Sequence, residues 1–379
     1  MRVVITGGGT GGHTSAGLAV AAALRARGCE DIAWIGSRGG IEARRVPEAG
    51  LAFHPISTGK LRRYWDWQNV PDLVWRAPAG LVEALGLLRR LQPALVFATG
   101  GFAALPAALA SVPLGIPVIV HEQTSVPGLA NRIAGRFARR IAVTFPGTGG
   151  EFPAARVVVT GNPLRPELAG GSRQEACRLF ALDPAEPIVY VTGGSLGSRS
   201  INRTVGDALA EWLERCQVIH QCGDNPETGD RAWLAERRHA LPAALRARHV
   251  LVPYVGPELR HVFAAADLVV GRSGAGTVNE CCHLGRAAVY VPLPGTSGDE
   301  QTANARLVEA AGGAVLLPQA TLTAAGLLGT VTALLSDRPA LGAMGDRARS
   351  LAVADAADRI ARLIFEVAGR EPSAFARAI

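Results

Sequence analysis

Along the chain, short β-branched runs alternate with stretches whose apolar residues recur every three or four positions. "RVVIT" opens the series. "SAGLAVAAALRARG" follows with helical spacing and closes on Arg25 and Arg27, with Gly28 just beyond. "DIAWIGS", "ALVFATGG", "IPVIVHEQ", "RIAVTFP" and "RVVVTGNP" read as further strands, separated by helical stretches such as residues 80–91. This alternation predicts an α/β fold with a parallel sheet covered on both faces. The grammar then restarts at "PIVYVTGGSLGSRSINRTVGDAL", again strand, glycine turn and helix, and continues through "QVIHQCG", "HVLVPYV", "DLVVGRSGAGTVNE" and "AAVYVPLP". Two Rossmann-like domains are expected, over residues 1–163 and 164–345, joined at "GNPLRPEL", where two prolines and a glycine punctuate the chain. A closing helix over about 346–369 is expected to pack back on the first of them.

Composition agrees with two cores: 379 residues at 48% hydrophobic content exclude a disordered chain. The net charge of +7 is arginine charge, because Lys60 is the only lysine. A basic surface favours phosphates, nucleic acid or an acidic membrane. Aromatic residues do not interleave with arginines as in single-strand readers, so no nucleic-acid partner is expected. Six cysteines scattered without paired spacing predict reduced thiols in a cytosolic setting, and no secretory signal is read before the first strand. The uncharged run Ala94 to Val120 is long enough to span a bilayer, but Gly100, Gly101 and prolines 106, 113 and 117 cut it into strand, loop, short helix and strand. No transmembrane helix is expected.

Candidate chemistry sits on the glycine turns. In "TGGGTGGH", residues 6–13, backbone N–H groups and a following helix start can receive an anion. The spacing of Gly7, Gly9 and Gly12 also satisfies a dinucleotide fingerprint, with Glu30 and Asp31 at the ribose distance. A P-loop is excluded, since no lysine follows the glycines. "GRSGAGTVNE", residues 271–280, is a second turn opening a helix; Glu280 is placed to accept both hydroxyls of a ribose, or to serve only as an acidic first-turn residue. "GTSGDEQTANA" adds Glu300 and Gln301. The pattern describes a nucleotide-diphosphate pocket. "CCH" at 281–283 offers metal-ligand residue types, yet adjacent helical positions diverge by about 100°, and no Asp-x-Asp motif occurs, so no metal is expected.

"GGGTGGHTSAGLAVA", "HEQTSVPGLANR", "GNPLR", "GGSLGSRSIN", "RSGAGTVNE" and "DEQTANA" stand in the order and spacing of the MurG family, which the chain resembles from residue 2 to about 365. The resemblance implies a GT-B fold, with UDP-N-acetylglucosamine held in the cleft mainly by the C-terminal domain and no bound cofactor. It implies transfer of the sugar, with inversion, to the 4-hydroxyl of N-acetylmuramoyl-pentapeptide on undecaprenyl pyrophosphate, at the cytoplasmic membrane face. By motif, Thr10, Gly11, Gly12 and Thr124 would lie against the donor; Arg165 and Ser195 would contact its diphosphate; Val255 would offer backbone groups to uracil. Ala275, Gly276, Thr277, Val278, Asn279 and Glu280 would hold the α-phosphate and ribose, and Gln301 the sugar. Gly100, Gly101, Phe102 and His121 would meet the acceptor. His13 is the expected general base, since neutral imidazole is available near pH 7, with Glu122 as second candidate; the alternative is that His13 only caps or hydrogen-bonds its loop.

Some positions depart from the family pattern. Thr124 stands where an asparagine is usual, and "GGFAA" replaces "GGYVS", so that Phe102 and Ala104 carry no hydroxyl. Missing hydrogen-bonding groups shift specificity. A paralogue serving another polyprenyl or lipid phosphate therefore stands as an alternative, as in phosphoglycolipid antibiotic formation. An NAD-dependent oxidoreductase and a non-catalytic sugar-nucleotide-binding scaffold are further readings. The segment Lys60 to Leu91 mixes Trp65, Trp67 and Trp75 with Arg62, Arg63, Arg76, Arg89 and Arg90, a composition suited to an anionic lipid surface or to an amphipathic helix packed on the sheet.

Overall fold

The computed structural model describes residues 1–59 and 75–369. Two compact units divide the chain: Met1–Arg165 together with the segment from Val353, and Pro166–Ala352.

The first unit carries seven strands: β1 Val3–Thr6, β2 Ile32–Ser37, β3 Ala52–Ile56, β4 Leu95–Ala98, β5 Val118–Glu122, β6 Arg140–Val143 and β7 Val157–Val159. Their order is β3-β2-β1-β4-β5-β6-β7, all pairs parallel. Every residue of β1, β4 and β5 is buried, as expected of strands covered on both faces. The run from Ala94 to Val120 is divided among β4, the helix Leu105–Ser111 and β5. Among the described residues no helix is long and apolar enough to cross a membrane.

The helix Gly11–Ala26 lies on one face of this sheet, with Val20 and Leu24 in the core. It begins at Thr10, whose extended backbone and hydroxyl cap it. The segment read as one helix over 346–369 is two pieces, Arg338–Arg349 in the second unit and Ala356–Val367 in the first. Ile360, Ile364 and Phe365 of the latter join the same core as Val20 and Leu24. Burying each contributes about 1.5–3 kcal/mol before entropy.

The second unit repeats the plan with β8 Ile188–Thr192, β9 Gln217–Gln221, β10 His249–Val252, β11 Leu268–Gly271, β12 Ala288–Tyr290 and β13 Ala314–Leu316. The order is β10-β9-β8-β11-β12-β13, again parallel. In each sheet the order reverses beside the first strand, between β1 and β4 and between β8 and β11. Ligands of open parallel sheets bind outside the carboxyl ends of strands at such points. Both glycine turns lie there. All six cysteines are free and buried.

Candidate active site

In the first unit, β1 runs into Gly7–Gly9 and β4 into Thr99–Gly101. The glycines at 7, 8 and 9 are packed by the chain's own side chains. A Cβ at Gly7 would overlap Thr99 Oγ1, one at Gly8 the Glu42 carboxylate, and one at Gly9 would lie 2.6 Å from the Phe102 ring. Trp34 Nε1 donates to Gly7 O at 3.1 Å, and Gly9 N donates to Glu42 Oε2 at 3.1 Å. Only Gly11 faces open space. The dinucleotide reading fails on topology: Asp31 precedes β2, at the opposite end of the strands from the glycines, and pairs with Arg2 at 2.8 Å.

His13 sits in the first turn of its helix, half-buried, with Nδ1 2.8 Å from Thr99 O. A carbonyl only accepts, so Nδ1 carries the proton and Nε2 keeps its lone pair. Burial lowers the His13 pKa; the charge of Glu122, the Thr99 bond and the charge of Glu42 offset part of that loss. The net direction favours the neutral ring. Added Cβ atoms at Gly100 and Gly101 would come 3.0 Å from His13 Cε1 and 3.2 Å from Cδ2, the two carbons beside Nε2. With φ of +100° and +76°, glycines keep this approach to Nε2 clear.

The second base candidate is occupied otherwise. Glu122 is 2% exposed; its Oε1 accepts from Thr124 N at 3.0 Å and lies 2.8 Å from Thr124 Oγ1, while Oε2 accepts from Gly128 N at 3.0 Å and Asn131 Nδ2 at 2.9 Å. With three N–H donors on its two oxygens and the Thr124 hydroxyl alongside, this carboxylate holds the 123–131 loop. Thr124 belongs to the same network, its hydroxyl also 2.7 Å from Val126 O. His121, expected at the acceptor, is fully buried in β5, stacked on Phe97, with Nε2 3.1 Å from Gly161 O and its pKa pushed down to about 4 by burial. Phe102 turns its ring onto Gly9.

In the second unit, β8 runs into Gly193–Ser198 and β11 into Arg272–Gly274. The helix Ala275–Leu284 starts at Gly274, which brings no capping side chain, and nothing lies within 4 Å of a Cβ added there. Its first N–H groups have no partner within the helix, so this start is able to receive an anion. Ser195 is exposed on the neighbouring loop. Of the six residues 275–280, Val278 and Asn279 are buried at 1% and 7% exposure, so their side chains face the core; Ala275, Gly276, Thr277 and Glu280 are more open. Gln301 accepts from Leu293 N at 3.0 Å through Oε1. Arg165 is the last residue of the first unit's main segment.

Two residues missed in the sequence organise this half. Gln221 is 4% exposed; its Oε1 accepts from Val255 N at 2.9 Å and Tyr190 Oη at 3.3 Å, and its Nε2 donates to Gly194 O at 2.9 Å and Thr192 Oγ1 at 3.2 Å. Of the Val255 backbone groups expected to meet uracil, the N–H is thus engaged with Gln221, leaving the carbonyl. Arg272 donates to Val291 O, Pro292 O and Gln319 Oε1 at 2.9, 3.0 and 2.6 Å. Burial lowers its pKa to about 10, so it stays charged at neutral pH. Both tie loops that diverge in sequence by tens of residues. Among the described residues no group of three or more His, Cys, Asp or Glu is placed to hold a metal ion.

Residues 3–143 match the glycosyltransferase family 28 N-terminal domain and residues 188–360 its C-terminal domain. The UDP-N-acetylglucosamine–N-acetylmuramyl-(pentapeptide) pyrophosphoryl-undecaprenol N-acetylglucosamine transferase of Desulforudis audaxviator is 37% identical over 98% of this chain and 99% of its own. The transferase of that name from a Nocardioides species is 40% identical over 97% and 98%. Among solved structures, Acinetobacter baumannii MurG superposes with a TM-score of 0.71 at 29% identity, covering 96% of this chain and 99% of that one. A glycosyltransferase of kitacinnamycin, at 20% identity and TM-score 0.72, shares the fold. With two parallel Rossmann-like sheets, matches to both domains and relatives of this identity along nearly its whole length, the chain belongs to glycosyltransferase family 28.

Proposed function

We propose that the chain transfers N-acetylglucosamine from UDP-N-acetylglucosamine to the 4-hydroxyl of undecaprenyl-pyrophosphoryl-N-acetylmuramoyl-pentapeptide, inverting the anomeric carbon. The relatives' names supply the substrates. The observation that carries the mechanism is the Nδ1–H of His13 bonded to Thr99 O, which leaves Nε2 as base. Nε2 takes the proton from the acceptor hydroxyl as its oxygen bonds to C1. The bond from C1 to the diphosphate breaks, and UDP leaves with the electron pair. Charge developing on that diphosphate is received by the uncapped start of Ala275–Leu284. The imidazolium then returns its proton to solvent.

The lipid-linked acceptor goes with a peripheral membrane location. On the first unit Trp75 is 72% and Val82 70% exposed, with Arg89 and Arg90 in the last turn of Ala77–Leu91. Apolar groups beside cations suit an anionic bilayer. The rest of the aromatic and basic segment, residues 60–74, lies outside the described residues.

A panel of UDP-hexoses offered with a short-chain lipid I analogue tests donor and acceptor together by product mass. Transfer of N-acetylglucosamine in preference to other hexoses is expected. Binding of UDP without transfer to that acceptor, alongside transfer to another lipid phosphate, would replace this reading with the paralogue.

A further inference from the structure

The first glycine turn has the build of an anion site, yet an anion from its own chain already fills it. Glu42 opens the helix Glu42–Glu48 and is 0% exposed. One carboxylate oxygen accepts from Gly9 N and the other from Ser37 N, each at 3.1 Å. Gly8 and Gly40 leave no room for a Cβ against that carboxylate. The bonds bind the end of β2 to the turn from which the His13 helix departs.

We propose that Glu42 is a positioning residue of the transfer reaction: its buried carboxylate takes the anion-holding backbone of the first glycine turn, fixing the turn that presents His13 and leaving donor phosphate to the second unit. This rests on His13 acting as base. A carboxylate in that place repels a second anion, so the donor diphosphate has no seat on Gly7–Gly9. Its charge also favours the imidazolium of His13, as does that of Glu122; His121, the other titratable group facing this ring, is held neutral by burial.

The test is Glu42→Gln with wild type as control. The amide keeps the size, but its NH2 faces one of the two N–H donors, and the charge is gone. With saturating substrates, kcat is expected to fall at least about tenfold, while the Kd for UDP by calorimetry stays within about threefold. The acid limb of kcat/KM is expected to move to lower pH, because the imidazolium has lost a stabilising charge. Wild-type kcat, a fall in kcat with an unmoved limb, or a loss carried by UDP affinity each overturns the proposal. If wild type itself transfers nothing, the functional reading fails instead. A second measurement needs no variant: on titrating wild-type protein with UDP, the amide resonances of Gly274–Thr277 are expected to shift and that of Gly9 to stay in place. Movement of the Gly9 resonance comparable to theirs contradicts the assignment of that turn to Glu42.

Discussion

Acidifying the protein from pH 7 to pH 5 destabilises the fold through its buried histidines, which stay neutral while folded. His121 is held at about 4 and His220 at about 3 by burial, and His249, whose ring lies 5.6 Å from that of His220, is held well below its ordinary value by the same cause. Unfolded, each titrates near 6.5, so between that value and the folded one the unfolded chain binds the extra proton. Stability is whole above about pH 6.5 and falls as pH drops through the window. At about 1.4 kcal/mol per unit, the step from 6.5 to 5 removes about 2 kcal/mol each through His121 and His220. His121 places one such loss in the first unit and His220 another in the second; the lowered His13 and His249 add to the first and the second in the same direction. Carboxylates of ordinary value titrate below this window. Urea unfolding followed by hydrogen exchange of peptides from β5 and β9 reads the two units separately. His249→Leu sharpens the test, since neither ring nitrogen of His249 has a hydrogen-bond partner among the described residues. The variant should lose less stability than wild type in the second unit over the same step. Equal stability at pH 7 and pH 5, or a pH loss unchanged in the variant, refutes the reasoning.

Gln221→Glu removes both N–H donors to Gly194 O and Thr192 Oγ1 and sets a carboxylate beside the Gly194 carbonyl. UDP affinity by calorimetry should weaken about tenfold, equivalent to about 1.4 kcal/mol, and an unchanged Kd counts against Gln221 as the link between the Val255 and Gly194 loops. Gly101→Ala forces a side chain into φ +76°, against Gly8 O and 3.2 Å from His13 Cδ2. The left-handed backbone alone costs about 1–2 kcal/mol. Transfer kinetics should show kcat down at least about tenfold with UDP binding intact, and a fully active variant removes the claim that the glycine pair clears Nε2.

The central strands were legible because each is a run of β-branched or aliphatic residues buried on both faces. The two strands that sequence reading passed over, β3 Ala52–Ile56 and β13 Ala314–Leu316, end their sheets. β3 has mixed exposure and contains Pro55, while β13 is a three-residue strand only partly buried at the sheet edge. The two glycine turns were legible as turns at helix starts. What fills the first was not, because its partners Glu42, Thr99 and Phe102 lie tens of residues away and meet it only through the fold. Glu280 and Gln301 were singled out by local motif, whereas Gln221 and Asn131 act through side-chain bonds to backbone of other elements, for which residue spacing carries no signal. The break between Arg349 and Ala356 was hidden by helix-forming residues on both sides of it.

The steady-state kinetics of His13→Ala, measured with UDP-N-acetylglucosamine and a short-chain lipid I analogue, bear most directly on the division of labour between the units. A loss of about 100- to 10,000-fold in kcat, with donor KM and the Kd for UDP within about threefold of wild type, is the outcome required of a base in one unit and a nucleotide seat in the other. Retention of kcat within about tenfold, or a defect that resides in UDP binding, contradicts it.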